Sequence, residues 1–266
     1  MSENEIITSR SNPLIRSARN LRNRKERSQT GNFLVEGILQ VGEAVEAGWQ
    51  IETILFAPDL LLSGFAKTLI GEEKGKGVRC IPVAEEAFES LAEKENPQGI
   101  VAIVHQKTWE LGDLSLGNCH YGIALVSPQD PGNVGTILRT IDAAGADGLF
   151  LLDGGVDPFH PTSVRASMGT IFWKPVVQVS FQDFVIWARK EGYGLIATSA
   201  HGCLDYRELD MEDQSFILIL GSEQKGLSLE QIEACDQLVS LPMKGRASSL
   251  NIAIAAGILM YRLMMY

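Results

Sequence analysis

Three loops in the second half of the chain carry side chains that ordinary connectors do not need. The first is Ser127-Pro-Gln-Asp-Pro-Gly-Asn-Val-Gly-Thr-Ile-Leu-Arg139, which leads from an apolar run into a helical pattern. Pro131 and Gly132 shape a turn, and Asn133 falls near the helix start, where free N–H groups and the helix dipole favour an anion. Arg139 lies among Val134, Ile137, Leu138 and Ile141. An Arg in that company either meets a carboxylate or phosphate or sits on the helix's outer face. The loop is not G-x-G-x-x-G, so a dinucleotide fingerprint is not supported. The second loop is Leu220-Gly-Ser-Glu-Gln-Lys-Gly-Leu227. Gly221 and Gly226 permit close backbone approach or positive φ. Glu223 between them is within reach of a hydroxyl or a cation, or is a carboxylate opening a helix. The third is Leu241-Pro-Met-Lys-Gly-Arg-Ala-Ser-Ser-Leu-Asn-Ile252. Ser248 or Ser249 can cap the final helix, whereas Asn251, an amide at the mouth of a very apolar helix, must find hydrogen-bond partners.

The elements that position these loops follow from hydrophobic periodicity. Residues 12–29 read as a basic amphipathic helix with Leu14, Ile15, Ala18 and Leu21 on one side. Strands are expected at Phe33–Val35, Ile51–Ala57, Val78–Val83 and Ile100–Val104. Helices are expected at Glu36–Ala47, Leu60–Leu69 and Glu85–Leu91, with a charged turn at Gly71–Gly77. This makes a first α/β unit over 1–106 and, where Gly, Asp, Asn and Ser break the pattern, a linker over 107–120. A second alternation fills 121–266. Its strands Tyr121–Val126, Gly148–Leu152, Val176–Val179, Gly194–Thr198, Phe216–Leu220 and Leu238–Leu241 are apolar apart from Gln178, Thr198 and Ser240. Helices separate them at Val134–Ala144, Ser163–Met168, Phe181–Glu191 and Leu229–Ala234, and Ser249–Met265 closes the chain. Such strands imply a mainly parallel sheet covered on both faces, whose ligands bind beyond the carboxyl ends of the strands. All three chemical loops start there.

Composition narrows the class. Hydrophobic residues make up 45% and charged residues 21% of 266 positions, the balance of a globular protein. Cys80, Cys119, Cys203 and Cys235 form no C-x-x-C pair, and His105, His120, His160 and His201 form no ligand pattern, so reduced thiols and no metal are expected. The start of the chain lacks the apolar core of a secretory signal, and no apolar run spans a membrane. A cytoplasmic protein is expected. The net charge of −10 argues against nucleic acid, but residues 1–30 hold seven basic residues against three acidic. A basic arm on an acidic body suits a phosphate backbone, or is a solubilising helix face.

Taken together, the three loops resemble the signature motifs of the SpoU–TrmH family of the SPOUT class of RNA methyltransferases. Motif one is Pro131 to Arg139, motif two Leu218 to Leu227, and motif three Leu241 to Gly245 with Ser249 to Ile252. Asp157-Pro-Phe-His-Pro through Gly169 also looks like the family. The first unit, through Asn32-Phe-Leu-Val-Glu-Gly37, is similar to a substrate-binding domain akin to ribosomal proteins that grip kinked RNA. The resemblance implies an α/β fold. A C-terminal parallel-sheet domain with a deep trefoil knot follows a smaller N-terminal α/β domain like a ribosomal protein that binds RNA. It implies a homodimer with the active site near the subunit boundary. It implies transfer of a methyl group from S-adenosylmethionine to a ribose 2′-hydroxyl of RNA, ribosomal rather than transfer RNA. The weighed alternatives are a transfer RNA substrate and a non-catalytic RNA-binding protein on the same scaffold. Carried over residue by residue, Asn133, Arg139, Glu223, Ser249 and Asn251 match the catalytic set, and backbone groups around Thr198, Gly221, Leu241 and Leu250 match the cofactor loops. Ser248 stands where many members have an acid, which bears on substrate placement.

Overall fold

The computed structural model describes residues 6–92, 96–200, 202, 204–209 and 214–264. Cys203 and His201 therefore lie outside the described residues. In chain order the elements are α1 (Pro13–Asn20), α2 (Arg24–Thr30), β1 (Asn32–Glu36), α3 (Ile38–Glu46), β2 (Ile51–Phe56), α4 (Gly64–Gly75), β3 (Arg79–Pro82), α5 (Glu85–Glu89) and β4 (Ile100–His105). There follow β5 (Tyr121–Val126), α6 (Pro131–Ala144), β6 (Gly148–Leu152), α7 (Pro161–Ala166), β7 (Val176–Val179), α8 (Phe181–Glu191), β8 (Gly194–Thr198) and β9 (Leu204–Asp205). The last are β10 (Phe216–Leu220), α9 (Leu229–Glu233), β11 (Gln237–Ser240) and α10 (Ile252–Met264). The chain forms two compact units, Met1–Lys107 with Phe159–Phe172, and Thr108–Pro158 with Trp173–Tyr266.

The first unit is built on a four-stranded mixed sheet in the order β1-β4-β2-β3. β4 runs antiparallel to both β1 and β2, and β3 is parallel to β2. One basic helix was expected over 12–29; instead the helix breaks after Asn20 and restarts at Arg24. Arg27 explains the break. Its side chain is buried, and Nη1 donates to the carbonyls of Leu21 and Arg22 at 2.9 and 2.8 Å, capping the end of α1. Arg22 in turn donates to the carbonyls of Leu91 and Ala92, so part of the basic arm serves the fold. The expected charged turn at Gly71–Gly77 is instead the end of α4, whose hydrogen bonds tolerate Gly71 and Gly75. Phe159–Phe172, read from sequence as part of the second alternation, belongs to the first unit. Phe33, Trp49, Phe159 and Phe172 form an aromatic cluster, and Trp49 Nε1 donates to Phe172 O at 2.9 Å.

The second unit is a seven-stranded, wholly parallel sheet in the order β7-β6-β5-β10-β8-β11-β9. The chain builds outward from β5 to β7, crosses to β8, and then inserts β10 between β5 and β8. Central strands such as Phe216-Ile-Leu-Ile-Leu220 are buried at every position, as a sheet covered on both faces requires. Phe150, Ile217 and Ile219 pack with Phe184 and Trp187 of α8 in one cluster. The stretch 107–120, expected as a linker, lies against this core: Leu114 and Cys119 are buried, and Trp109 bridges to Val177. On this unit α10 packs along α6. No described helix is long and apolar enough to cross a membrane.

Candidate active site

β5, β10, β8 and β11 are neighbours in that order and point the same way, so the loops beginning at residues 127, 221, 199 and 241 open side by side at one edge of the sheet. The first loop ends in an orderly helix start. Asp130 caps α6 by accepting from Gly132 N at 2.7 Å, and Pro131 occupies the first turn, where its missing N–H costs nothing. Asn133 follows within that turn.

Motif two folds back on itself. Ser222 pairs with Gly226, whose N donates to Ser222 O at 2.9 Å. Both glycines are used as their freedom suggests. Gly226 has φ 67°, and a Cβ on Gly221 would lie 2.2 Å from Gly226 C. This turn presents Glu223 to the first loop. Its Oε2 accepts from Gln129 N at 3.2 Å and its Oε1 from Asn133 Nδ2 at 3.3 Å. Asn133 Oδ1 accepts from Asn251 Nδ2 at 3.0 Å. Asn251 Oδ1 accepts from Ala253 N and Ile254 N at 2.9 and 3.4 Å. Asn251, rather than Ser248 or Ser249, therefore caps the last helix, because α10 begins only at Ile252. A single chain of hydrogen bonds thus joins the three loops.

The remaining sequence-derived residues take distinct places. Ser249 is exposed two residues before Asn251, in the same loop. Arg139 is exposed on α6 and has no hydrogen bond or ion pair among the described residues. It lies six positions after Asn133, roughly 9 Å of helical rise and about a third of a turn around the helix from it. It does not join the Glu223–Asn133–Asn251 chain within one subunit. Thr198 ends β8 in register with Val239. Among the described residues, the backbone groups of Gly221, Leu241 and Leu250 make no hydrogen bond, and Leu250 keeps 38% of its surface exposed. Free peptide groups next to apolar side chains fit a donor with a planar base and an aliphatic sulfonium arm, such as S-adenosylmethionine. In the turn just after β9, the Arg207 guanidinium donates to both oxygens of Asp205 at 2.9 and 2.6 Å. Those bonds hold the Asp205 carboxyl down to about 2. No group of three or more metal-ligating side chains occurs among the described residues.

Sequence reasoning missed Gln129. It also missed two non-glycine residues in the left-handed region, Ser127 at φ 45° and Asp153 at φ 56°, each directly after a strand. The Ser-Pro dipeptide marks a turn, but residue type alone does not reveal which backbone N–H a carboxylate will meet.

Comparison with known proteins gives the family. Residues 121–261 match the model of the SpoU rRNA methylase family, and residues 12–102 that of an MRM3-like substrate binding domain. A 23S rRNA (guanosine(2553)-2′-O)-methyltransferase of Bacillus subtilis is 33% identical over 97% of this chain and 98% of its own length. A 23S rRNA (uridine(2479)-2′-O)-methyltransferase of Streptomyces viridochromogenes is 36% identical over 91% and 85%. The crystal structure of an AdoMet-bound rRNA methyltransferase from Sinorhizobium meliloti superposes with a TM-score of 0.90 at 34% identity, covering 98% of this chain and 97% of that one.

Proposed function

The chain belongs to the SpoU rRNA methylase family, and we propose that it methylates a ribose 2′-hydroxyl of 23S rRNA in the crevice lined by Asn133, Glu223 and Asn251. It is an S-adenosylmethionine-dependent RNA 2′-O-methyltransferase. The observation that carries the placement of the reaction is the hydrogen-bonded chain through Glu223, Asn133 and Asn251, which draws all three motif loops to one point at the carboxyl edge of the parallel sheet.

S-adenosylmethionine supplies a methyl group already activated on a sulfonium, so the protein's work is alignment and disposal of the hydroxyl proton. Backbone groups of Gly221, Leu241 and Leu250, with those around Thr198, hold the donor. Asn133 and Asn251 keep fixed amide orientations and present their remaining hydrogen-bonding capacity to the ribose. Ser249, exposed beside them, orients a phosphate or relays the proton. Arg139 is essential in this reading, yet a guanidinium stays protonated and is no base. It stabilises the forming alkoxide or grips the adjacent phosphate with two parallel N–H groups.

We assign a homodimer, supported by α10. Ile254, Ile258 and Tyr261 recur at helical spacing and are 56%, 38% and 43% exposed, an apolar stripe left over on a helix whose other side packs on α6. A second copy covering that stripe sets the exposed Arg139 at the boundary between subunits. We expect the deep trefoil knot as well, with β10 inserted between β5 and β8 as its topological setting. A ribosomal RNA substrate puts the reaction in the cytoplasm. The two 23S rRNA relatives act on a guanosine and a uridine, so the target base is not carried over.

The test is transfer of labelled methyl from S-adenosylmethionine to unmodified 23S rRNA, with alkali-resistant linkages mapped in the product and compared with rRNA from cells lacking the gene. Label on a base, or none on 23S rRNA, overturns the reading.

A further inference from the structure

The loop after β5 is held in a shape that its own side chains must enforce. Ser127 occupies the left-handed region at φ 45°, which a non-glycine residue keeps only when its surroundings enforce it. Asp153 does the same at the matching position after β6. The two turns are bolted together. Ser127 N donates to Leu152 O at 2.8 Å and Ser127 Oγ to Asp153 O at 3.3 Å. Val156 N donates to Pro128 O at 3.0 Å. A Cβ on Gly155 would lie 2.4 Å from that same Pro128 oxygen. Gln129 completes the turn: its Nε2 donates to Ser127 O at 2.8 Å, closing a ring over the strained residue. Its peptide N–H then points at Glu223 Oε2 at 3.2 Å.

We propose that Gln129 is a positioning residue for methyl transfer, its side chain locking the 127–129 turn so that its own peptide N–H fixes the Glu223 carboxylate and, through it, the Asn133 amide. Glu223 is exposed, and an exposed carboxylate held by one donor swings toward solvent. Two donors from one loop, Gln129 N and Asn133 Nδ2, leave it one position. With Glu223 accepting from Nδ2, Asn133 must turn Oδ1 toward Asn251; a flipped amide would set oxygen against oxygen and nitrogen against nitrogen. The polarity of the crevice therefore starts at Gln129. The inference rests on the reaction taking place at Asn133 and Asn251.

The experiment compares Gln129→Ala and Gln129→Glu with the wild type, alone and combined with Glu223→Ala, in steady-state methyl transfer to 23S rRNA. Gln129→Glu keeps the shape but puts a carboxylate against the Ser127 carbonyl. Both variants are expected to lower kcat by about 10–100-fold, the scale of a misplaced reacting group, with KM for RNA and the melting temperature little changed. Adding Gln129→Ala to Glu223→Ala is expected to cost nothing more, since the two act in series. Full activity in Gln129→Ala, or losses that multiply in the double variant, overturns the proposal; multiplied losses would mean that Gln129 touches the RNA directly. Asn133→Ala separates the two levels. If it is inactive while Gln129→Ala is unimpaired, only this inference fails; if it is fully active, the reaction centre itself is misplaced.

Discussion

Asn251 donates through Nδ2 to Asn133 Oδ1 at 3.0 Å, joining residues 118 positions apart. Its other head group accepts from Ala253 N and Ile254 N and so caps α10. These two duties can be separated. Asn251→Asp keeps the cap, because an acid suits a helix N-terminus, but it cannot donate to Asn133. The expected result is a melting temperature at or above that of the wild type with methyl transfer lowered at least about ten-fold, a hydrogen bond's worth of transition-state free energy. Asn251→Ala should lose both activity and about 1 kcal/mol of stability. An active Asn251→Asp enzyme would reduce Asn251 to a helix cap.

Arg139 is an exposed cation with no partner among the described residues, so its removal should leave stability within about 0.5 kcal/mol of the wild type. Arg139→Ala is expected to abolish transfer while S-adenosylmethionine affinity, measured by titration calorimetry, stays close to the wild-type value. Arg139→Lys is expected to recover little, since a point charge does not reproduce a planar fork of donors. Unchanged turnover in Arg139→Ala would remove it from the site.

Much of this was legible in the chain itself. The strands that carry the site, β5, β8 and β10, appear in the sequence as short apolar runs, and the loops after β5 and β10 announce themselves by Pro131, Gly132, Gly221 and Gly226. What periodicity does not carry is pairing between loops. Nothing in the spacing of Glu223 says that its two oxygens face Gln129 N and Asn133 Nδ2. Nor does it say that Arg139 turns outward while Asn133 turns in. Arg27 shows the same limit in the first unit: its place in a basic run suggests an RNA contact, yet burial and two carbonyl partners make it a cap. The stretch 107–120 looks like a linker because its apolar residues keep no regular period, although Leu114 and Cys119 reach the core. Two-residue β9 is too short to leave any pattern.

The motif-two turn should tolerate no side chain at its first glycine. A Cβ on Gly221 would fall 2.2 Å from Gly226 C and 2.4 Å from Leu227 N, both backbone atoms that cannot step aside alone. Gly221→Ala is expected to open the Ser222–Gly226 turn, withdraw Glu223 from Asn133 and cost about 1–3 kcal/mol, the usual scale of overpacking. Loss of S-adenosylmethionine binding should accompany loss of transfer. A variant with wild-type stability and cofactor affinity would show that the turn is not packed as described.

Alkaline stability reports on Cys119. Burial, followed by the charge of Asp147, pushes its thiol up from 9.0 to about 11, and Tyr193 donates its hydroxyl to the Cys119 carbonyl. Burial first also raises Cys80 and Cys235 to about 11. The folded state thus keeps protons that the unfolded state releases near pH 9, so unfolding is increasingly favoured as pH climbs. The contribution is complete below about pH 9 and is lost as pH rises toward 11. Urea midpoints should fall across that window, and Cys119→Ala should flatten part of the fall. A wild-type midpoint constant from pH 9 to 11 would contradict the burial of these thiols.

The stripe on α10 predicts how the enzyme assembles. Ile254 is 56% exposed and lies in the first turn of the helix, where an acidic residue agrees with the dipole. Ile254→Asp should therefore leave the subunit folded while placing a charge in an apolar contact, where an unpaired carboxylate is costly. Light scattering is expected to show a dimer for the wild type and a monomer for Ile254→Asp. Transfer should fall with the dimer, because Arg139 makes no hydrogen bond to the Asn133–Asn251 pair of its own subunit. Mixing Ile254→Asp with excess Arg139→Ala subunits should restore no activity if both need the same contact. A dimeric, fully active Ile254→Asp protein would place the subunit contact elsewhere and leave the stripe on α10 without a role.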